Sequence, residues 1–473
     1  MLTDKALLAI VCLFLLDQVR RHKCTQLNEV LVESAGDISR KATLPTAPVP
    51  AQPVIKTTLD MSQYEIDPVF QQEYDRIDNE DPIIKCARYG FTYNATTIAP
   101  KKRRIFFVGL ISDDSFDVVR AHAAEAYGLY HLVSLTESNG TFAATPRELR
   151  FAPGTAGHDL LQSGIFGPTT AIHVNLFLGD AGGALWMERE HMQRDTIIEA
   201  WVTGGMGVDD IGLVADVDET FSRDFLLAAQ MCDIPEFVPG NNCRVPKIVG
   251  DAIRFESSVE CMSTKHWYHP DMMLGECIMG VGLATGRILP PRSNGPHGER
   301  IDLGYGKLKS TDFIEEHKTL NRYPLHTATD FRDVDSGRQY LWVEDHPNPD
   351  NGPPNSYGTA YHFHNFFTDV NILRNKYSTY GHGSKKNKVL DLSKVARELD
   401  LVVRCVKGLP NEVKNDKVKG MDRYTTSFTE MKTNKPILFL KENNRKDQHE
   451  RIEAMIAKEE KRQGKFYNDT QIS

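Results

Sequence analysis

The sequence predicts an α/β layered fold built on a largely parallel sheet. Two observations carry that expectation. From about residue 101, apolar runs of strand length recur, and amphipathic segments of helix length separate them. The composition agrees: of 473 residues, 40% are hydrophobic and 25% charged, the balance of a globular chain able to bury a sizeable core.

The elements follow in order. Arg104–Ile111, Tyr130–Leu135, Ala171–Leu178 and Ile211–Ala215 read as strands. Ser115–Tyr127 reads as a helix between the first two, and Trp186–Val202, rich in helix formers, as another. Ser222 is placed to cap a helix over Arg223–Cys232. After about Pro235 the spacing becomes irregular, and the Gly/Pro-rich stretches 289–297 and 345–358 read as surface loops of the kind that border a cleft. No internal repeat is present.

The two ends differ from this body. Ala6–Leu16 is an unbroken apolar run, flanked by Lys5 and then by Arg20, Arg21 and Lys23. It is shorter than the roughly 20 residues of a membrane-spanning helix and fits a signal-peptide core or short signal anchor. Residues 41–57 carry four prolines and read as a stem. The expected organisation is a signal segment at 1–23, a stem at 24–100, a catalytic domain at 101–400 and a C-terminal extension at 401–473 whose charged run from Lys441 is a solvated helix or tail. The sequons at Asn94, Asn139 and Asn468 agree with entry into the secretory pathway. There Cys86, Cys232, Cys243, Cys261, Cys277 and Cys405 could pair, in a connectivity that spacing does not fix. Spacing gives no CxxC pair and hence no structural zinc site. A net charge of −8 argues against nucleic acid as the partner.

The chemistry-bearing segment is Asp216-Val-Asp218-Glu219-Thr220, where an apolar strand runs straight into carboxylates. In an open α/β sheet, ligands bind at the carboxyl ends of strands. If the segment stays extended, Asp216 and Asp218 face one side and offer hard oxygens to Mn²⁺ or Mg²⁺, which in turn holds phosphate. Two chemistries fit. One is a nucleotide-sugar glycosyltransferase whose D-x-D pair holds a metal against the diphosphate. The other is a haloacid-dehalogenase-type phosphatase, with Asp216 as nucleophile and Asp218 as acid/base. About 110 residues of α/β sequence precede the pair, which favours the first. A secreted carbohydrate-binding protein using Trp267 is a third, non-enzymatic reading.

The neighbouring residues carry a resemblance. Glu137-Ser138-Asn139-Gly-Thr141-Phe142 with Pro146-Arg-Glu-Leu149-Arg-Phe151 resembles the "ESN-x-TF…P-x-x-L-x-F" stretch of glycosyltransferase family 17. Arg189-Glu190-His191-Met-Gln193-Arg194 is similar to its "REH-x-QR" helix, and Asp216-Val-Asp218-Glu219 to its "SDVDEIP". His266-Trp267-Tyr-His269-Pro270 is similar to a W-x-HP element, and Tyr361–Phe366 with Ile372–His382 to the family's ending. These elements span about 103–382. Thr220-Phe221 departs from the family's Ile-Pro, and 152–168 and 283–358 are expanded.

The resemblance implies a GT-A-like, Rossmann-like domain that moves N-acetylglucosamine from UDP-N-acetylglucosamine to a mannose of an N-glycan. It implies inversion at the anomeric carbon and a Golgi-lumenal, type II membrane placement, or secretion if the first segment is cleaved. On that basis Asp216 and Asp218 hold the metal, with His364 as a further ligand. Glu219, Glu190, Gln193 and Arg194 flank the donor diphosphate. Trp267, His269 and His362 meet substrate, and Asp271 or Glu276 is the base.

Overall fold

The apolar run after residue 104 forms strand β1 (Ile105–Ile111), buried along its whole length. The computed structural model describes residues 66–94, 102–179, 187–195, 198–234, 237, 247–263, 267, 269–275, 338–339, 359–366, 371–372, 424–426 and 435–463, all within one compact unit. The next three strands are β2 (Tyr130–Ser138), β3 (Ala171–Phe177) and β4 (Ile211–Asp216), each within a few residues of its expected bounds. Pairs β1–β2, β2–β3 and β1–β4 are parallel, so the expected parallel-rich sheet is present, and it is compatible with a Rossmann-like fold.

Side-chain alternation along β1 explains how the sheet is covered. Ile105, Phe107 and Ile111 face one core, which also holds Val118, Val119 and Phe166. Phe106, Val108 and Leu110 face a second, smaller core with Trp201, Met206 and Met273. Burial on both faces is what a parallel sheet requires. Gly109 sits where β1 and β4 approach closely, since a Cβ there would lie 2.6 Å from the Ala215 carbonyl oxygen.

Helices cover both faces. The N-terminal pair is α1 (Pro68–Asp78) and α2 (Pro82–Arg88), each opened by an Asp cap followed by proline at the first position. α3 (Phe116–Ala126) is capped by Ser115, α4 (Ala156–Gln162) by Thr155, and α7 (Arg223–Met231) by Ser222 as the sequence indicates. The segment read as one helix over 186–202 is described as two, α5 (Met187–Asp195) and α6 (Ile198–Thr203).

Two boundaries differ from the expected ones. The stretch assigned to a stem contains α1 and α2, whose Tyr74, Ile77 and Cys86 belong to the main core. They are fastened to α7 by Asp224, which meets Lys85 at 3.2 Å, Arg88 at 2.8 Å and the Tyr89 hydroxyl at 2.6 Å. Cys86 is also disulfide-bonded to Cys232 just past α7. The charged tail does form a helix, α8 (Glu442–Gln463), but it is not simply solvated. Its Ile452 and Met455 are buried, and Gln448 accepts the Val259 amide at 3.1 Å. A 3₁₀ turn, Ile437–Leu440, precedes it, and Phe439 packs on Phe363 and Phe366.

The irregular region contains a second sheet. β5 (Glu219–Phe221), β6 (Lys247–Val249), β7 (Ala252–Glu256), β8 (Ser258–Ser263), β9 (Asp271–Leu274), β10 (Arg338–Gln339), β11 (Ala360–His364) and β12 (Tyr424–Thr426) complete the strands. The large sheet has the order β10-β6-β9-β4-β1-β2-β3, with β9 antiparallel to β4 and β6. The small sheet has the order β12-β8-β7-β11-β5. Among the described residues no helix is long and apolar enough to cross a membrane. The apolar run 6–16, most of 283–358, Glu276 and Asn468 lie outside them.

Two buried groups on α3 set opposing pH dependences. Burial raises the Glu125 carboxyl from an ordinary 4.5 to about 7, despite amide bonds from Arg223 and Ile437. Burial lowers His122 from 6.5 to about 4. The Glu125 contribution to stability is complete below its unfolded value and is lost as pH rises through about 7. That of His122 is complete above 6.5 and is lost as pH falls through about 4. Glu125→Gln removes only the first. Relative to wild type, the variant should gain on the order of 3 kcal/mol between about pH 4.5 and pH 7 in urea unfolding. A pH-independent difference would contradict this assignment.

Candidate functional site

The strand order places β1 between β2 and β4, so successive parallel strands run outward from β1 in both directions. Such a reversal opens a crevice at the carboxyl ends of the two central strands, where open α/β sheets bind ligands. The acidic segment lies there: Asp216 ends β4, and Glu219 begins β5 in the other sheet. Val217 and Asp218 form the two-residue turn between them. The segment is therefore not extended through this point, and the alternate-residue argument for a shared face does not apply.

Every part of the turn is held. The Val217 amide donates to the Leu110 carbonyl of β1 at 3.1 Å, and the Phe363 amide of β11 donates to the Asp218 carbonyl at 2.7 Å. The Val217 carbonyl lies 3.0 Å from His122 Nδ1. A carbonyl only accepts, so Nδ1 carries the proton and Nε2 accepts from the Tyr130 hydroxyl at 2.9 Å. The Asp216 amide donates to Glu219 Oε2 at 3.0 Å.

The turn divides its carboxylates between two sets of partners. Asp216 Oδ1 accepts from Arg194 Nη2 at 2.7 Å, and the same nitrogen reaches Glu190 Oε1 at 2.9 Å. Asp218 faces the other way, toward β11, where His362 pairs in register with Glu219. His362 Nε2 lies 3.5 Å from Asp218 Oδ2. That is long for a hydrogen bond, but it suits two ligands of one ion, which stand roughly 3–4 Å apart when each bond is about 2.1 Å. One atom each from Asp218, Glu219 and His362 falls within 4.8 Å of the others.

Glu219 is buried, and both its oxygens already accept hydrogen bonds, Oε2 from Asp216 and Oε1 from Trp267 Nε1 at 2.6 Å. It orients the turn. Were an ion to bind, Asp218 and His362 would be its better placed ligands. Carboxylate and imidazole together suit Mn²⁺ better than Mg²⁺, which prefers oxygen alone. His362 Nδ1 is buried without a hydrogen-bond partner, so only Nε2 faces the carboxylates.

The remaining expected residues are distributed around this centre. Trp267 packs on His362, ring centroids 4.8 Å apart, and meets His269 edge-on at 5.6 Å. His269 Nδ1 is 2.7 Å from Asp271 Oδ2. Gln193 is buried on α5. His364 lies beyond His362 on the same strand face, rings 5.2 Å apart. Its Nδ1 lies 2.7 Å from Glu256 and 3.0 Å from Arg254, a local knot at the ends of β7 and β11. His362, not His364, stands with the acidic turn.

Asn139, read as a sequon, is half-buried, and its Oδ1 accepts the Gly179 amide at 3.2 Å, bridging the ends of β2 and β3. Asn94 is half-buried.

Three residues that the sequence did not single out individually complete the framework. Glu137 is fully buried at the end of β2 and accepts from the Arg150 amide at 2.7 Å, the Phe151 amide at 2.9 Å and Arg147 at 3.1 Å. Burial raises its pKa. It ties the two halves of the 137–151 stretch together. Arg189 donates to the Gly179 carbonyl at 2.8 Å, fixing α5 against the end of β3. His122 supports the turn from below. A lone histidine among apolar helix neighbours is the one sequence signal that could have found it.

No family model and no curated sequence matches the chain. The site is read from its own geometry.

Removing the buried Arg194 guanidinium takes away the cation shared by Glu190 and the part-exposed Asp216. Arg194→Met should destabilise the protein by about 2–4 kcal/mol in urea unfolding. Adding Asp216→Asn should recover about 1–3 kcal/mol of that, the coupling a double-mutant cycle measures. Additive losses would show that the pair contributes nothing.

Proposed function

We propose that the chain is an inverting glycosyltransferase of GT-A-like architecture, moving N-acetylglucosamine from UDP-N-acetylglucosamine to a mannose of an N-glycan. One observation carries the reading: the Asp216–Glu219 turn stands at the strand-order reversal of a parallel sheet, with His362 brought against it from a second sheet. Carboxylates at that place suit a ligand whose phosphates arrive with a divalent cation. The sugar and acceptor rest on the resemblance of the 137–151, 189–194, 216–219 and 267–270 stretches to family 17.

The residues divide the work. Asp218 and His362, with Glu219 behind them, would hold Mn²⁺, which when bound supplies positive charge against the diphosphate leaving group. Arg194, held between Glu190 and Asp216, adds a buried guanidinium to the same border. The Cys86–Cys232 disulfide fits an oxidising lumenal compartment, as does the N-terminal apolar run.

The two competing readings fit less well. A covalent aspartyl mechanism needs a free nucleophile, and the Asp216 carboxylate is engaged by Arg194. A carbohydrate-binding Trp267 needs an open ring, whereas His362, His269 and Glu219 surround it.

Calorimetry and donor turnover test the proposal. Wild-type protein should bind UDP-N-acetylglucosamine with Mn²⁺ and lose that binding with chelator. Asp218→Asn and His362→Ala should each reduce turnover at least about 100-fold, while His364→Ala keeps the metal dependence. Metal-independent donor binding, or none, would refute the reading.

A further inference from the structure

Resting on the transferase reading, the geometry points to His269 as the base that takes the acceptor's proton, with Asp271 as the positioning residue behind it. Asp271 is fully buried at the start of β9, so it cannot meet an acceptor glycan. Its Oδ2 lies 2.7 Å from His269 Nδ1. An ionised carboxylate only accepts, so Nδ1 bears the proton and the Nε2 lone pair is the basic position. The His269 side chain is 23% exposed and anchored through Nδ1. This is the arrangement in which a buried carboxylate fixes an imidazole's tautomer and steadies the imidazolium that forms.

Register brings the pair to the site. β9 runs antiparallel to β4 with Asp271 opposite Val214, so the residues just before Asp271 pass the carboxyl end of β4 where the acidic turn stands. Trp267 is the spacer: it bonds Glu219, packs on His362 and meets His269 with its other side. His269 is thus one ring removed from the turn. Among the described residues, the ionisable groups that face it are Asp271 directly, and Glu219 and His362 across Trp267.

The step balances. The acceptor hydroxyl proton passes to His269 Nε2 as its oxygen bonds the anomeric carbon. The bond from that carbon to the β-phosphate oxygen breaks, and its electron pair leaves on UDP. The imidazolium then returns the proton to water.

The test uses the full chain with UDP-N-acetylglucosamine, Mn²⁺ and an N-glycan acceptor. His269→Ala should lower kcat about 100- to 10,000-fold, keep the donor Kd within about twofold, and recover part of its turnover with added imidazole. Asp271→Asn should lower kcat with little change in either KM, because the imidazole loses the carboxylate that fixes its tautomer. A kcat within a few-fold of wild type in His269→Ala, or donor binding lost in parallel, overturns the assignment and leaves the transferase reading standing. Wild-type protein that neither binds the donor nor releases UDP overturns both.

Discussion

The two-residue turn at Val217-Asp218 is the constraint on which the site depends. It is where the chain leaves one sheet and enters the other. Four groups of the turn and its flanks are held by β1, α3, β11 and the Glu219 carboxylate, so the turn has little freedom to relax. Buried backbone groups need such partners, and here supplying them also aims the side chains. Asp216 is directed to α5, and Asp218 to β11.

Around the turn, charge is placed by pairing. Arg194 would be costly to bury alone and is flanked by two carboxylates. Glu137 is buried with amide and guanidinium donors and thereby shapes the loop that follows β2. Arg189 fastens α5 to the end of β3. The helix with the REH-x-QR pattern thus carries two clamps, Arg189 for the end of β3 and Arg194 for the acidic strand.

The sequence was most legible where signals are local. Four strands, the helix starting near Ser115 and the Ser222 cap were read within a few residues, because strand-length apolar runs and cap chemistry depend on near neighbours. The second sheet was not read, because β5 and β12 are only three residues long and pair with distant segments. The acidic segment was found, but its conformation was taken as extended. His362 and His364 share a strand face, so their sequence cannot say which meets the turn; only the register of β11 on β5 does. Asp271 was singled out as a carboxylate after an HP element. Its burial, which turns it from a direct participant into a support for His269, is a tertiary fact.

The Cys86–Cys232 bond has a topological consequence. It closes a covalent ring with a sequence separation of 146 residues. The ring contains the four parallel strands β1–β4, α5 and the acidic turn. Trp267, His269, Asp271 and His362 all come from chain outside it. The site is therefore a joint between chain inside the ring and chain outside it, and it exists only when the later chain has docked. A ring that had closed and packed would carry Asp216, Asp218 and Glu219 yet lack the imidazoles of His269 and His362.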